Sequence, residues 1–186
     1  MDYAENSAGE KDLFKQTLSD YLDSVNGNIK GVEIGVLNGS TSSYLLGISP
    51  RIYLTGIDPI IPDSMDILLL GDLDKILENT KPYRGRFLFI NEYSYNVSSR
   101  FDDNVLDFIF IDGSHVYEDV KMDWNTYIPK IKPNGLLYLH DSRMNRNGAP
   151  FHAGPSRLAD EIIEYDNRVE IIDEAFSLIC FRKLNV

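Results

Sequence analysis

Acidic residues and histidines occur together in two short segments in the second half of the chain. Asp112 and His115 lie in the first segment, and His140 and Asp141 form the second. Carboxylate oxygens are the ligands that Mg²⁺ prefers, and an imidazole near neutral pH can remove the proton from an attacking hydroxyl. If both segments end neighbouring parallel strands, their side chains meet at one edge of the sheet, where they could hold a cation and supply a general base.

A second group of candidate residues lies earlier in the chain, in the sequence EIGVLNGS. Glu33 is followed by Gly35 and Gly39, so two glycines flank a tight turn in which the backbone can approach a ligand without obstruction by Cβ atoms. The spacing is not the G-x-G-x-x-G of dinucleotide-binding folds, because the middle glycine is absent. Asp58 ends the next apolar run, about 20 residues later, where a carboxylate can accept hydrogen bonds from both hydroxyls of a ribose.

The elements that must position these residues are predicted from the apolar runs. Five β-rich runs alternate with helical stretches, and several are continuously apolar, which is typical of strands covered on both faces of a parallel sheet. Two further runs are close enough to pair directly. The predicted fold is α/β, a doubly wound, mostly parallel seven-stranded Rossmann-like sheet with an antiparallel edge strand. The strand runs are IKGVEIG, RIYLTGID, RFLFIN, VLDFIFID, GLLYLHD, RVEIID and FSLICFRK, and helices are predicted to begin near Ser40, Asp72, Tyr117 and Ser156.

A single domain accounts for residues 1–186. Residues 1–10 are polar and are predicted to form a loose tail, whereas residues 11–26 carry apolar side chains at spacings of three and four, which predicts an amphipathic N-terminal helix. The seven strands and their helices leave no room for a separate cap over the site. We therefore expect either a small, partly exposed substrate or a second subunit that closes the site, and the second alternative predicts a homodimer.

Residues 142–157 form the longest irregular stretch and are locally basic. Because they follow the fifth strand, they are a candidate substrate loop, with arginines that either face an oxygen-rich substrate or balance neighbouring acids. His152 lies in this stretch and fits a structural hydrogen-bonding role better than catalysis. The arginines are Arg143, Arg146 and Arg157.

Composition argues against several classes of function. The chain carries 18 Lys and Arg against 29 Asp and Glu, a formal net charge of −11, and therefore repels nucleic acid at long range. Its apolar runs are far below the roughly 20 residues of a membrane span, and its polar first residues lack the features of a secretory signal. The single cysteine, Cys180, cannot form an internal disulfide. We expect a cytoplasmic protein that acts on a small molecule, without nucleic-acid or membrane partners.

The glycine loop and the strand-end segments resemble class I S-adenosylmethionine-dependent methyltransferases over residues 29–141. Acid-x-Gly-x-x-x-Gly at residues 33–39 is similar to motif I of that family, and residues 111–117 and 140–141 are similar to the IDG-x-H-x-Y and HD strand ends of a small-molecule subgroup. The resemblance implies that the loop wraps the methionine part of S-adenosylmethionine, that the acid before it orients the amino group, and that the acid after the second strand binds the ribose. The implied cofactor-binding residues are Glu33, Gly35, Asn38, Gly39, Ser40, Asp58, Ser94 and Asp112, with Ser94 near the adenine.

The same resemblance implies a metal site and a base. Metal-dependent O-methyltransferases of this family hold their ion with an acid that closes strand four and a pair of acids, or an acid and an amide, that closes strand five. Asp112, His140 and Asp141 are the implied ligands here, with His140 and Ser142 standing where a carboxylate or amide is expected. Without a metal, Asp112 would hydrogen-bond the loop amides and Asp141 would cap the following turn. His115 is the first candidate for the base, and His140 is the second.

We therefore expect a class I S-adenosylmethionine-dependent methyltransferase that acts on a small molecule, most simply by O-methylation of a hydroxyl, with assistance by Mg²⁺ left open. Two alternatives remain: a metal-independent N- or carboxyl-methyltransferase, and a catalytically inert S-adenosylmethionine-binding module that serves another enzyme. Asp112, His115 and Asp141 argue against the inert module, because such a module has no need of them.

Overall fold

Seven strands and six α-helices alternate along residues 3–61, 71–143 and 153–185, which are the residues described by the structure, a computed structural model. The strands are β1 (Ile29–Ile34), β2 (Ile52–Ile57), β3 (Phe87–Ile90), β4 (Leu106–Ile111), β5 (Ile131–Leu139), β6 (Val169–Ala175) and β7 (Leu178–Lys183). The helices are α1 (Tyr3–Ser24), α2 (Ser40–Ile48), α3 (Leu73–Thr80), α4 (Ser94–Val97), α5 (Tyr117–Tyr127) and α6 (Ala153–Tyr165). The four helix starts predicted from the sequence lie within three residues of observed starts.

All seven strands belong to one sheet with the order β3-β2-β1-β4-β5-β7-β6. The first five strands are parallel to one another, and β7 runs antiparallel to both β5 and β6. The predicted fold class is therefore confirmed, and the antiparallel strand lies one position inside the edge. The strand order reverses between β1 and β4, and in open α/β sheets the carboxyl ends of the strands at such a point form the ligand-binding crevice.

Helices cover the sheet on both faces. On one face α1 and α2 bury Leu13, Phe14 and Leu45 against the strands, and on the other face α5 and α6 bury Trp124 and Ile162. Each helix contributes an apolar stripe to its layer, so the strands in the middle of the sheet are covered from both sides. Within the described residues, every helix is too short or too polar to cross a lipid bilayer.

The N-terminal helix is longer than predicted. α1 begins at Tyr3, so residues 3–10 are helical, and the expected loose tail is wrong for this segment. The helix is held to the sheet by buried side chains and by Thr17, whose hydroxyl lies 2.7 Å from the hydroxyl of Tyr138 in β5. The apolar stripe begins only at Leu13, so the pattern that indicated the helix did not extend to its first turns. The additional turns bring Glu10 to the carboxyl edge of the sheet.

Candidate active site

The loop between β1 and α2 contains both predicted glycines in left-handed backbone conformations. The φ angles of Gly35 and Gly39 are +85° and +77°, a region that side chains with a Cβ rarely adopt. A Cβ on Gly35 would lie 2.1 Å from the carbonyl oxygen of Asp112. Glycine at this position therefore allows the loops after β1 and β4 to touch. Further along, Asn38 Oδ1 accepts a hydrogen bond of 3.0 Å from the amide of Ser40, the first residue of α2.

Asp58 follows β2, and its carboxylate is bound by backbone amides. Oδ2 accepts hydrogen bonds from the amides of Val36 at 2.8 Å and Leu37 at 2.9 Å, and Oδ1 accepts one from the amide of Ile60 at 2.7 Å. The predicted ribose-binding residue therefore also fixes the glycine loop. A carboxylate has about four acceptor positions, so the three amides leave capacity for a ligand hydroxyl on Oδ1.

Glu33 lies inside the fold beneath the glycine loop. It is 1% exposed, and its carboxyl group accepts a hydrogen bond from the hydroxyl of Ser42 in α2. Burial raises the pKa of Glu33 to about 8; the Ser42 hydroxyl opposes this, and the charges of Asp112 and Asp58 add to it. Burial therefore favours the protonated, uncharged form of Glu33.

The free energy of unfolding of the ligand-free protein is expected to fall between pH 5 and pH 8 because of Glu33. Its pKa in the folded state lies above the ordinary value of 4.5, so the folded state binds more protons than the unfolded state across this window, and stability decreases as the pH rises. Glu33 accounts for a decrease of roughly 3 kcal/mol in the free energy of unfolding between these pH values. Glu33→Gln should abolish this decrease. Urea unfolding at both pH values measures it, with the exposed Glu118→Gln as the control. An equal pH dependence in the wild type and Glu33→Gln would contradict the prediction.

Ser94, the residue predicted to lie near an adenine, begins α4 and is buried. Its hydroxyl donates to the carboxylate of Asp123, and its carbonyl oxygen accepts a hydrogen bond of 2.8 Å from the hydroxyl of Tyr127. Burial raises the pKa of Asp123 to about 6. The side chain of Ser94 is thus hydrogen-bonded to Asp123 of α5, and its contact with an adenine stays a prediction.

The four residues of the two strand-end segments lie together at the carboxyl ends of β4 and β5. Ile111 and Leu139 are paired across these strands. Asp112 and His140, which follow them, therefore lie side by side at the edge of the sheet. Nδ1 of His140 lies 2.8 Å from Asp112 Oδ1 and 3.4 Å from Asp141 Oδ2. His115 Nε2 lies 2.9 Å from the same oxygen of Asp141.

Opposite charges hold this cluster together. Burial lowers the pKa of His140, but Asp112, Asp141 and Glu10 more than compensate, so the pKa of His140 lies well above its usual range. Burial raises the pKa of Asp112; the charge of His140 opposes this increase, and the charge of Asp141 adds to it.

The backbone of Asp141 has an uncommon conformation. Its φ is +52°, a region that residues with a side chain seldom adopt, and such strain is concentrated at functional sites.

The cluster fits a divalent cation. Asp112, His140 and Asp141 each offer one ligand atom, and these atoms lie within 4.8 Å of one another. Nδ1 of His140 is buried and forms no hydrogen bond with any described residue, although Asp112 Oδ1 is only 2.8 Å away. Adjacent ligands of an octahedral Mg²⁺ lie about 3 Å apart when the bonds are about 2.1 Å long. The spacing and the unpartnered nitrogen therefore suit a cation.

The predicted substrate loop is described only at its two ends. Arg146 and His152 lie outside the described residues, and the last five positions of 142–157 belong to α6, because that helix begins at Ala153. Arg143 is 6% exposed, and its guanidinium contacts Glu174 at 2.7 Å and Asp160 at 3.6 Å. This arginine therefore balances neighbouring acids, the second of the two alternatives.

Arg157 in α6 is also held by the protein. The centre of its guanidinium group lies 3.7 Å from the centroid of the Tyr117 ring. At the same end of α6, Gly154 allows close approach to the loop that carries His115, because a Cβ on Gly154 would lie 2.1 Å from the carbonyl oxygen of His115. Ser156 adds a hydrogen bond of 3.1 Å to the carbonyl oxygen of Asp141. The start of α6 thus supports both strand-end segments.

Two further residues at this site were missed by sequence reasoning. Glu10 Oε2 lies 3.4 Å from His140 Nε2, and Glu10 Oε1 accepts hydrogen bonds from the amide and hydroxyl groups of Ser177. Ser177 Oγ lies 3.2 Å from the same nitrogen of His140. Burial raises the pKa of Glu10, but His140 and Ser177 outweigh that effect, so the pKa of Glu10 is lowered. No motif contains Glu10 or Ser177, so only the fold reveals them.

A family model described as a methyltransferase domain matches residues 32–142, which is more than half of the chain and runs from the second half of β1 past the end of β5. The chain belongs to the class I S-adenosylmethionine-dependent methyltransferases. The resemblance predicted from the glycine loop and the strand-end segments is therefore confirmed. The match ends at Ser142 and so includes every predicted catalytic, metal and cofactor residue of this methyltransferase.

Solved structures share the fold of this methyltransferase. A putative caffeoyl-CoA O-methyltransferase from Staphylococcus aureus is 19% identical, with a TM-score of 0.68 over 94% of this chain and 82% of that chain. The O-methyltransferase TomG from Streptomyces achromogenes, in complex with SAM, is 11% identical, with a TM-score of 0.67 over 95% and 80%. MycE from the mycinamycin biosynthetic pathway, in complex with Mg, SAH and mycinamycin VI, is 16% identical, with a TM-score of 0.62 over 91% and 48%.

Two curated relatives of this methyltransferase bear the description "uncharacterized protein". A protein of Acanthamoeba polyphaga mimivirus is 28% identical over 117 residues, which is 59% of this chain and 50% of the relative. A protein of Sinorhizobium fredii is 36% identical over 47 residues, which is 25% of this chain and 5% of the relative. The matched part is thus half or less of the length of either relative.

Proposed function

We propose that this methyltransferase transfers the methyl group of S-adenosylmethionine to a hydroxyl of a small molecule, with a divalent cation held by Asp112, His140 and Asp141. The observation that carries the proposal is the buried Nδ1 of His140, which lies between two carboxylates without a hydrogen-bond partner among the described residues. Support also comes from the similar fold of MycE, whose structure contains Mg and SAH. The net charge of −11 favours a small molecule over nucleic acid as the acceptor.

The residues at the ends of β1 and β2 fit S-adenosylmethionine. Gly35 and Gly39 give the loop its left-handed backbone turns and let it pack closely against the loop after β4 and against α3, and the cofactor's methionine part binds along this loop. Asp58 holds the loop amides and uses its remaining acceptor capacity for a ribose hydroxyl. Glu33 lies beneath the loop, where it orients the amino group of the cofactor directly or through water. The cofactor supplies a sulfonium methyl group, and transfer is an in-line displacement in which positioning does most of the work.

The cation site is built from hard oxygen ligands and one imidazole. Asp112 and Asp141 supply carboxylate oxygens, and Nδ1 of His140 completes the protein ligands. When bound, the cation orients the acceptor hydroxyl and lowers its pKa. Asp141, whose φ is +52°, has one carboxylate oxygen within 3.4 Å of a ring nitrogen of each histidine.

His115 is the base in this proposal. Its Nε2 lies 2.9 Å from Asp141 Oδ2, and its side chain is 12% exposed. With the ring proton on Nε2, donated to Asp141, the basic lone pair is on Nδ1. Nδ1 then takes the proton of the acceptor hydroxyl as the methyl group is transferred, and Asp141 stabilises the resulting imidazolium.

Chelation is expected to reduce methyl transfer by about 100-fold or more, because loss of the cation removes several kcal/mol of activation of the hydroxyl. The measurement is a screen of sugars and phenols with methyl-labelled S-adenosylmethionine, with and without EDTA, followed by addition of Mg²⁺ or Mn²⁺. Calorimetry with S-adenosylhomocysteine is the control, since the cofactor site should retain its affinity in EDTA. Undiminished transfer in EDTA would contradict the cation site, and labelling of amines or carboxylates alone would contradict O-methylation.

A further inference from the structure

We propose that Glu10 is a positioning residue of the cation site, whose carboxylate fixes His140 in the orientation and tautomer in which Nδ1 is the ligand. The inference rests on the proposed function, because it requires the cation at Asp112, His140 and Asp141. It assigns a role to α1, a helix that lies outside the part of the chain matched by the methyltransferase family.

The packing of α1 fixes the position of Glu10. Residues three and four positions apart share one face of a helix, and Leu13 and Phe14, which follow Glu10 at those spacings, are both buried. The ring of Phe14 packs edge-on against Phe110 in β4, with the ring centroids 5.1 Å apart. Glu10 therefore lies on the buried face of the helix, and its side chain is only 15% exposed.

Two residues account for the polar contacts of Glu10. Oε1 accepts hydrogen bonds from the amide of Ser177, at 3.2 Å, and from its hydroxyl group. Oε2 lies 3.4 Å from Nε2 of His140. Within residues 3–61, 71–143 and 153–185, His140 is the ion-pair partner of Glu10, and no lysine or arginine pairs with it. Ser177 thus anchors one oxygen, and the other is directed at the imidazole.

This arrangement selects one tautomer of His140. Glu10 Oε2 and Ser177 Oγ both lie beside Nε2, which favours a proton on that nitrogen. A bound cation would displace the proton from the other nitrogen, Nδ1, whose lone pair would then face the ion; this nitrogen lies beside Asp112 and Asp141 without a hydrogen bond to any described residue. Metal-ligating histidines commonly donate their second N–H to a carboxylate, and loss of that partner typically weakens metal binding by about 10- to 100-fold. The structure matches this pattern, with Glu10 as the carboxylate.

The test measures Mn²⁺ binding rather than turnover. Free Mn²⁺ is titrated by electron paramagnetic resonance, and electron spin-echo modulation reports whether a ¹⁴N nucleus is bound to the ion. The variants are Glu10→Gln, Glu10→Ala and His140→Ala, with Asp20→Asn as the matched control, because Asp20 is an exposed acid on the same helix. Circular dichroism and hydrogen exchange of α1 establish that each variant keeps the helix in place.

The wild type is expected to bind Mn²⁺ with a ¹⁴N coupling that disappears in His140→Ala. Glu10→Ala should weaken binding by about 10- to 100-fold and diminish the coupling. Glu10→Gln should be intermediate, because an amide oxygen still accepts the Nε2 proton, and Asp20→Asn should match the wild type. If both Glu10 variants keep the wild-type affinity for Mn²⁺ and the wild-type ¹⁴N coupling, the role of Glu10 is refuted, whereas the cation site is not. Binding without a ¹⁴N coupling in the wild type would also overturn the role of Glu10, and no Mn²⁺ binding would overturn the cation site as well.

Discussion

Asp58→Ala is expected to weaken the binding of S-adenosylhomocysteine by about 100-fold. Hydrogen bonds to a charged group contribute roughly 1.5–3 kcal/mol each, and about 3 kcal/mol corresponds to a 100-fold change in Kd. Two losses act together, because the variant removes the acceptor for the ribose and releases the amides of Val36 and Leu37 in the glycine loop. Titration calorimetry of the purified protein measures the affinity.

Two variants separate these losses. Asp58→Asn keeps one oxygen that can accept the loop amides, so its affinity should lie between those of the wild type and Asp58→Ala. Asp103→Ala is the matched control, because Asp103 is an exposed acid paired with Lys130 before the start of β4, away from the carboxyl ends of the strands. Unchanged affinity in Asp58→Ala would refute the ribose contact, and a wild type that binds no S-adenosylhomocysteine would refute the cofactor site itself.

The second large effect is expected for His115→Ala, which should lower kcat by about 100- to 10,000-fold, the usual contribution of a general base. Affinity for S-adenosylhomocysteine should be unchanged, because the side chain of His115 is directed at Asp141, at the end of β5. Stopped assays with the acceptor found by the screen, over a range of pH, make the measurement.

Glu118→Gln serves as the control for His115→Ala, since it alters an exposed acid three residues away in α5. Mn²⁺ affinity must be measured in parallel, because His115 contacts Asp141, and its loss could displace a cation ligand. Full turnover in His115→Ala at neutral pH would exclude it as the base and make His140 the next residue to test.

The strand-end part of the site was predictable from the sequence because it depends on local rules. Asp58, Asp112 and Asp141 each follow an apolar run, and parallel strands place such positions at the same edge of a sheet. Asn134 lies within β5, where the pairing with β4 is irregular, and its φ of +66° is a left-handed backbone conformation that Asn tolerates. In each case the apolar run that forms the strand, together with the few residues after it, determines where the residue lies in the fold.

The remaining contacts depend on residues far apart in the chain. Glu10 and Ser177 are separated by 167 positions, and no periodic pattern relates a polar residue in the first helix to a turn before the last strand. Arg143 illustrates the same limit, because its burial depends on Glu174 and Asp160. Basic character in a segment beside a predicted site does not indicate whether its charges face a ligand or other parts of the protein.

The position of β7 also determines the order in which the active site can form during folding. β7 lies between β5 and β6, so β6 joins the sheet only through a strand that follows it in the chain. Ser177, immediately before β7, completes the contacts of Glu10 with His140. Folding slows as the sequence separation of the contacts increases. Because Ser177 must be in place to anchor Glu10, we expect the complete cluster to form no earlier than the insertion of β7.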